Sequence, residues 1–379
     1  MKLLVDGIFF QLSSTGIARL WLELLARLAT FPEIKIVMLD RGNCPIIPNV
    51  ERLPFPSYTS TCTAADSFLI DRICKDLDID VFTTTYYTSA LTVPQVLMVY
   101  DMIPEILGFN LSDRIWQEKQ IAISYSNYFA CISKNTLSDL KKFYPHIPND
   151  RMVLAYCGVD KRVFKKAPQA AIEDFRSRYG LNREYFIVVG SRRQHNNYKN
   201  VSLLFETMKR HGIGNIDVLC VGGEPNLEDV SFGVAARRLD LDSEELCSAY
   251  SGAIALVYPS LYEGFGLPVA EAMASECPVI TTRFGSLAEV AGDAAIFISG
   301  HDHNEMKFAL EQVRSPTVRE QLVEKGLRQS ALYDWDRTTK IFYDVISRAY
   351  SERHCKSRIE FCERWKKLRS LQSAVDVGV

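Results

Sequence analysis

The feature that most constrains the fold of this chain is the regular return of short apolar runs, separated by longer segments with helical spacing. After Gly16, for example, apolar residues recur at Leu20, Leu24, Leu25 and Leu28. The runs have the length of β-strands and cover residues 2–10, 34–39, 93–100, 128–133, 185–191, 216–223, 253–260, 278–282 and 294–299. Strands that alternate with helices form parallel sheets covered on both faces, so the sequence predicts an α/β fold.

The series of strands restarts near Phe186, after a polar and charged stretch. A chain of 379 residues also exceeds the size at which a single core keeps growing. We therefore predict two doubly wound domains, over residues 1–164 and 165–334, followed by a C-terminal segment over residues 335–379. Domains of this kind bind ligands at the carboxyl ends of their strands, which directs attention to the motifs found there.

Composition excludes several classes of protein. A hydrophobic fraction of 47% and a charged fraction of 24% are typical of a globular protein, and a net charge of -2 gives no reason to expect nucleic acid as a partner. The ten cysteines form no C-x-x-C pair and are typical of buried thiols in a reducing compartment. No run approaches the roughly 18 apolar residues of a membrane span. The apolar run at the N-terminus, which Asp6 interrupts, is too short for a signal peptide. We therefore expect a cytoplasmic protein.

Two carboxylates flank a glycine-containing loop in the stretch YEGFGLPVAEAMASECPVITT. Glu263 and Glu271 lie eight positions apart, around Gly-Phe-Gly-Leu-Pro. A strand precedes the loop, Pro268 suits the first turn of a helix, and a further strand follows, so the stretch forms the loop and helix of one βαβ unit. Both carboxylates can therefore face a cleft at the carboxyl end of a strand.

The residue types of this loop suit a phosphorylated sugar. Gly264 and Gly266 allow a ligand to approach the backbone, and the unpaired amides from Leu267 onward favour phosphate. A carboxylate accepts hydrogen bonds without donating them, which suits vicinal hydroxyls. One acid can hold sugar hydroxyls while the other holds a ribose. The alternative makes Glu271 a solvated helix residue and Glu263 a helix cap.

These residues resemble the retaining glycosyltransferase family 4, whose hallmark is most often written E-G-F-G-L-P-x-x-E. Residues 263–271 match it fully. The resemblance continues in STGIARLWLELLARLA (14–29), YDMIPE (100–105), CISKNTLSDL (131–140), GVDKRVF (158–164), VGSRRQHNNYKN (189–200), VGGE (221–224) and PVITTRFGSLAEVAGDAAIFI (278–298), and so covers about the first 350 residues. It implies the GT-B fold, in which two Rossmann-like domains face a central cleft. The N-terminal domain would bind the acceptor, the C-terminal domain the nucleotide sugar, and residues after 334 would begin with a helix that returns to the first domain.

The family holds the departing diphosphate with an Arg and a Lys, and the matching positions are Arg192 and Lys199. The loop is longer than the common family spacing, which leaves Arg193 as a rival to Arg192. A positive clamp that tightens on the developing charge lowers the barrier directly. Taken only as a charge pattern, these residues would form a solvated face.

The N-terminal domain contributes two further positions. The glycine that matches Gly16 approaches the donor phosphates in the family, although the segment could be a simple helix cap. Asp101 ends a strand where the family often has His-Asp, and Tyr100 replaces the His. Any role of the imidazole would then pass to Asp101 or to a bound water. Alternatively, Asp101 is a capping residue before Pro104.

The resemblance implies a retaining glycosyltransferase that moves a hexose from a nucleotide sugar to a glycan, polysaccharide-precursor or lipid-linked acceptor. Asp101 and Glu263 are the candidate catalytic residues, and Gly16, Arg192, Lys199, Gly266, Leu267 and Glu271 are the candidate donor-binding residues. The YDMIPE stretch resembles that of mannose-transferring members, which makes GDP-mannose a first guess. The alternatives are a sugar-nucleotide epimerase or phosphorylase of the same architecture, or an inactive nucleotide-sugar-binding subunit. The sequence does not indicate an oligomeric state.

We expect no metal or other cofactor, because a clamp of Arg and Lys makes a metal unnecessary. Three D-x-D patterns, formed by Asp76, Asp78, Asp80, Asp240 and Asp242, resemble the metal site of another glycosyltransferase architecture. The first two patterns lie where a helix end runs into a strand, and the third is typical of a helix cap. The six histidines show no ligand spacing.

Residues 351–379 lie beyond the resemblance and are basic and amphipathic. Over residues 352–371, seven Lys and Arg residues stand against three Glu residues, and Phe361, Trp365 and Leu368 share one helical face. Such a helix can make peripheral contact with an anionic membrane at the inner face of the cell, which would suit a lipid-linked acceptor. We favour the alternative, in which Trp365 and its neighbours pack onto the enzyme or lead to a further domain or partner.

Overall fold

The structure is a computed structural model that describes residues 1–13, 15–59, 63–192, 198–226, 233–355, 359–365 and 367. Within these residues the strands form two parallel sheets, as the alternating pattern predicts. The strands of the first sheet are β1 (Lys2–Asp6), β2 (Lys35–Asp40), β3 (Val50–Pro54), β4 (Val81–Thr84), β5 (Gln95–Val99), β6 (Tyr128–Cys131) and β7 (Met152–Leu154). Those of the second are β8 (Tyr185–Val189), β9 (Asp217–Val221), β10 (Ala236–Leu239), β11 (Leu256–Tyr258), β12 (Val279–Thr282) and β13 (Ala295–Ile298).

Helices connect the strands and cover the sheets. Those joined to the first sheet are α1 (Ile8–Leu12), α2 (Gly16–Leu28), α3 (Thr63–Asp76), α4 (Ile103–Ile106), α5 (Arg114–Tyr125) and α6 (Lys134–Phe143). Those joined to the second are α7 (Gln169–Arg178), α8 (Ser202–Arg210), α9 (Ser243–Gly252), α10 (Leu267–Ala274), α11 (Leu287–Ala291), α12 (His303–Gln312) and α13 (Pro316–Ser330). A last long helix is α14 (Trp335–Ser351).

Both sheets have a doubly wound strand order. The first runs β3-β2-β1-β4-β5-β6-β7 and the second runs β10-β9-β8-β11-β12-β13. The order reverses between β1 and β4 and between β8 and β11, and ligands bind doubly wound sheets at such switch points. The loops that follow β8 and β11 carry Lys199 and Glu263. The topology thus places both residues at one switch point.

The predicted strand runs miss four strands. One of them, β4, is an interior strand that ends in two threonines, and the sequence indicated it only as the strand that follows the first D-x-D patterns. The other three lie at sheet edges. Strands β3, β7 and β10 each pair on one side only, and β3 and β10 carry charged residues. An edge strand is partly open to solvent, so it has no continuous apolar run to be recognised. The predicted run over residues 2–10 is also too long, because β1 ends at Asp6 and α1 begins at Ile8.

Helix α14 begins at Trp335 and returns to the first sheet. Phe342 packs edge-on against Trp21 of α2, with ring centroids 5.7 Å apart, and both side chains are fully buried. At the surface, Arg27 of α2 pairs with Asp336 at a distance of 2.7 Å. These contacts hold the end of the chain against the domain in which it starts.

The C-terminal tail packs on the first domain where the structure describes it. Residues 359–365 are helical. Trp365 stacks near Phe68 of α3 with ring centroids 6.3 Å apart, and Phe361 lies 6.4 Å from Tyr125 of α5. The connection from β4 to β5 contains no helix, and the described part of the tail lies between α3 and α5, where a cavity lined by Phe68, Tyr125 and Trp365 remains. Leu368 lies outside the described residues.

Among the helices that the structure describes, none is both long enough and apolar enough to cross a membrane.

Candidate active site

Lys199 and Glu263 form a buried ion pair at the carboxyl ends of neighbouring strands. Lys199 Nζ lies 2.5 Å from Glu263 Oε1 and donates to the hydroxyl of Tyr258 at 3.0 Å. Burial alone would lower the pKa of Lys199, but the charge of Glu263, aided by Tyr198, raises that pKa above its usual value. The lysine is therefore held as a cation beside the carboxylate, which gives the site a positive group next to an acceptor of hydroxyl hydrogens.

A neighbouring loop fixes the backbone around Glu263. Ser286 donates its amide and its hydroxyl to the Glu263 carbonyl, at 3.1 and 3.0 Å, and its hydroxyl also reaches the Phe265 carbonyl at 2.7 Å. Gly285 has a φ of +58°, and a Cβ there would lie 2.6 Å from the Glu263 carbonyl oxygen. The Gly-Ser pair of the RFGS stretch therefore positions the acid. Sequence reasoning did not assign this role, although the pair lies inside a quoted motif.

The loop of the second domain touches the strand end that carries Asp101. A Cβ on Gly264 would lie 1.9 Å from the Tyr100 carbonyl oxygen and 3.0 Å from Asp101 Cβ. Thr136 joins the two segments, because its hydroxyl lies 3.1 Å from the Gly264 carbonyl and 3.3 Å from that of Tyr100. Asp101 of the first domain thus lies beside the loop of the second domain that carries Glu263.

Asp101 combines a local and a cleft-facing position. Its Oδ1 accepts from the amide of Ile103 at 3.0 Å, which is the capping contact that the sequence left open. Its charge also contributes to the raised pKa of Lys199, so it lies within electrostatic reach of the ion pair. The cap and a role in the cleft are therefore compatible.

Tyr100, which stands where the family often has His, points into the first domain. Its hydroxyl donates to the Thr85 carbonyl at 2.8 Å and accepts from Trp21 Nε1 at 2.6 Å. Burial raises the pKa of Tyr100 well above its ordinary value. A neutral hydroxyl with both partners in the core cannot exchange a proton with a substrate, so this side chain has a structural role.

We expect Tyr100→Phe to reduce stability while leaving sugar transfer close to that of the parent. The substitution leaves the buried Trp21 N–H and the Thr85 carbonyl without their hydrogen-bond partner, which lowers the free energy of unfolding by about 1–3 kcal/mol. Urea unfolding and initial rates would measure the two effects, with the half-buried Tyr343→Phe as control. A large loss of rate at unchanged stability would instead assign Tyr100 to the chemistry.

Glu271 pairs across the cleft with Arg19. Glu271 lies in α10 with 2% of its surface exposed, and its Oε1 accepts from Arg19 Nη1 in α2. The charge of Glu271 raises the pKa of Arg19. Gly16, at the start of α2, faces Leu267, since a Cβ on the glycine would lie 3.4 Å from Leu267 Cδ1. The first turns of α2 and α10 therefore meet at the cleft.

The start of α10 agrees with the sequence interpretation of its loop. Gly266 is the N-cap residue with a φ of +97°, a left-handed conformation that favours glycine, and Pro268 lies in the first turn. The N-terminal amides of α10 thus begin beside Gly16 and Arg19. The candidate donor-binding residues Gly16, Gly266, Leu267 and Glu271 lie together.

Arg192 is placed differently from the other candidates. Its side chain is buried, and its two Nη atoms donate to the carbonyls of Gly222, at 2.7 Å, and Glu224. Its amide donates to the Glu224 carboxylate at 2.7 Å. In this conformation the guanidinium braces the loop after β9. Arg193, the rival position, lies outside the described residues.

Two further contacts join the domains beside the site. The Glu289 carboxylate accepts from the amides of Lys134, at 2.9 Å, and Asn135, at 3.2 Å, at the start of α6. Asn135 also donates to the Tyr262 hydroxyl at 2.6 Å. The positive end of the helix dipole at the start of α6 attracts the Glu289 carboxylate. The sequence could not predict this contact, because no local pattern shows that the carboxylate comes from the other domain.

The aspartates of the D-x-D patterns lie at or near the ends of helices and strands. Asp242 caps α9 and accepts from the amides of Glu244 and Glu245 at 3.0 and 2.9 Å. Asp80 accepts from the amide of Lys2 at 2.8 Å. Within the described part of the chain, no group of three or more His, Cys, Asp or Glu side chains is arranged to hold a metal ion.

Comparison with known proteins places this architecture. Residues 183–315 match the family model described as "Glycosyl transferases group 1". The O-antigen chain mannosyltransferase B of Escherichia coli is 24% identical over 361 residues, which cover 86% of this chain and 94% of that protein. Sucrose-phosphate synthase from Thermosynechococcus elongatus superposes with a TM-score of 0.75 at 16% identity, covering 93% and 99% of the two chains. Anabaena HepE in complex with UDP and glucose superposes with a TM-score of 0.71 at 13% identity, covering 92% and 99%.

The fold, the site and the relatives define the class: the chain is a glycosyltransferase with the GT-B fold. Within that class, the match of residues 183–315 and the likeness to the O-antigen mannosyltransferase support the resemblance to family 4. The fold class and the enzyme class that the motifs indicated are confirmed.

Proposed function

We propose that this enzyme is a retaining hexosyltransferase that takes its sugar from a nucleotide-sugar donor. The observation that carries the proposal is the meeting of Lys199, Glu263 and Glu271 in one cleft, at the start of α10. The carboxylates suit the hydroxyls of the sugar and the ribose. The N-terminal amides of α10 and the lysine cation suit the diphosphate between them.

In the proposed reaction the bond between the anomeric carbon and the diphosphate breaks as the acceptor oxygen attacks from the same face. Because the attack comes from the face that the diphosphate leaves, the anomeric configuration is retained, and the acceptor proton passes to the departing phosphate. Lys199 stabilises the charge that develops on the leaving group. Glu263 orients the sugar hydroxyls, and Asp101, on the opposite side of the cleft, orients the attacking hydroxyl or a water that relays its proton.

The comparisons support, as a proposal, a mannose donor and a surface-polysaccharide acceptor. A relative that matches 86% of this chain is an O-antigen chain mannosyltransferase, which makes GDP-mannose the first donor to test. HepE, which shares the fold, binds UDP and glucose, so UDP-glucose is the second. The acceptor class that we propose is a glycan, a polysaccharide precursor or a lipid-linked saccharide. The basic tail adds the proposal of peripheral contact with an anionic membrane.

Sugar transfer tests the proposal against its alternatives. We expect one member of a panel of GDP-, UDP- and ADP-hexoses to be consumed only when a mannose-terminated or glucose-terminated glycan is added, with an α-donor giving an α-linkage by NMR. The Glu263→Gln variant serves as the inactive control. Isomerisation of free donor would indicate an epimerase, and dependence on inorganic phosphate would indicate a phosphorylase. Donor binding with no turnover on any acceptor would support a binding subunit.

We expect the same transfer reaction to proceed in the presence of EDTA, because the positive groups of the site are side chains and helix amides. Initial rates with and without chelator would be compared after exhaustive dialysis. A complete loss of rate that magnesium restores would contradict metal independence.

A further inference from the structure

Most of the positive side chains near the N-terminus of α10 already have protein partners, although a diphosphate needs positive groups around it. A nucleoside diphosphate carries more than one negative charge, and a site that binds it tightly needs more than one cationic or amide partner. Of the predicted clamp, Lys199 is paired with Glu263, and Arg192 donates to backbone carbonyls. Among the described side chains, Arg19 is a further cation at the cleft, and it pairs with Glu271 across the two domains.

Resting on the proposed function, we propose that Arg19 is a donor-phosphate residue, which pairs with Glu271 in this structure and exchanges that partner for a phosphate of the donor. Donor binding brings the ribose hydroxyls onto the Glu271 carboxylate, and the Arg19 guanidinium then turns to the phosphate nearest the ribose. The predicted clamp is thereby completed from the first domain. The ligand class is a nucleoside diphosphate.

The geometry supports this exchange. Glu271 lies one turn inside α10, so a ligand with its ribose on this acid and its phosphates at the α10 amides passes directly beside Arg19. The Arg19 side chain is 35% exposed, whereas that of Glu271 is 3% exposed. The arginine can therefore reorient without opening the core, while the acid stays in place. Gly16, one turn before Arg19, lies against Leu267, the first residue of α10, so the start of α2 stands beside the N-terminal amides of α10.

The guanidinium is chemically suited to this transfer between partners. Carboxylate and phosphate both accept two parallel N–H donors from an arginine, so one planar group can serve both in turn. The ring of Phe164 lies under the guanidinium, with 5.8 Å between Arg19 Cζ and the ring centroid. This cation–π contact does not fix the guanidinium in one orientation, so the group can turn while it stays over the ring. Binding of the donor would thus couple the two domains through one side chain.

The test compares ligands that differ only in phosphate. Dissociation constants for guanosine, GMP and GDP, with the uridine series alongside, are measured by calorimetry for the parent, Arg19→Gln and Arg27→Gln. Arg27 belongs to the same helix but pairs with Glu23 and Asp336 outside the cleft, which makes it the matched control. We expect Arg19→Gln to weaken the binding of the diphosphate by about 10-fold to 100-fold relative to the binding of the nucleoside. Arg27→Gln should leave the ratio of the two affinities unchanged.

Each other outcome overturns the proposal in a recognisable way. An unchanged ratio of diphosphate to nucleoside affinity in Arg19→Gln would mean that Arg19 only braces Glu271. Tighter diphosphate binding in that variant would mean that the ion pair of Arg19 with Glu271 competes with donor binding. If the parent binds no nucleotide of either series, the proposed function fails together with this inference, whereas the first two outcomes leave the proposed function intact.

Discussion

Replacement of Lys199 by Ala should reduce sugar transfer by about 100-fold or more and also lower the stability of the fold. The catalytic loss follows because the variant lacks the cation that meets the charge of the departing diphosphate, and loss of one such preorganised group costs about 10²–10³ in rate. The loss of stability follows because Glu263, 7% exposed, would remain as a buried carboxylate without its partner. Breaking a buried pair in this way costs about 3–5 kcal/mol.

A double variant separates the two effects. Lys199→Met combined with Glu263→Gln removes both charges, so we expect the free energy of unfolding to recover while transfer stays lost. Lys340→Ala, which changes an exposed lysine, controls for loss of charge alone. Urea unfolding, nucleotide binding and initial rates give the three readouts. Donor binding by Lys199→Ala as tight as that of the parent would show that the site is misplaced.

Introduction of a single methyl group at Gly264 should strongly reduce activity without unfolding either sheet. The Cβ of Gly264→Ala would lie 1.9 Å from the Tyr100 carbonyl oxygen, which is backbone of the opposite domain and cannot yield as a side chain would. The loop that carries Glu263 must therefore move away from Asp101. We expect a loss of about 100-fold or more in kcat/KM, because a misplacement near 1 Å can cost that much.

The control for this variant is another glycine. A Cβ on Gly214 meets no atom within 4 Å, so Gly214→Ala should behave as the parent. Hydrogen exchange would follow the amides of Lys134 and Asn135, which Glu289 holds across the domain contact, and circular dichroism would report the sheets. Full activity in Gly264→Ala would mean that the contact with Tyr100 is absent from the working enzyme.

The sequence by itself determined the features that depend on local pattern. Buried parallel strands are continuous apolar runs, so most interior strands and the alternation with helices could be recognised from periodicity alone. The interior strand β4 is the exception, because half of its four residues are threonine. Glycine at Gly266, proline at Pro268 and the cap at Asp242 report local backbone geometry, and each lies where the pattern predicts. The position of Glu263 at the carboxyl end of a strand follows from the same local order.

Only the tertiary structure decided which side chains meet. Arg19 and Glu271 are 252 residues apart in the chain, and their pairing depends on how one domain lies against the other. Arg192 follows a strand as predicted, yet the neighbouring turn offers carbonyls that take its guanidinium. The Tyr100 hydroxyl enters the core because Trp21 and Thr85 supply both its partners there. Periodicity shows which face of an element is buried, but the partner of a polar side chain is fixed by packing between elements that are distant in sequence.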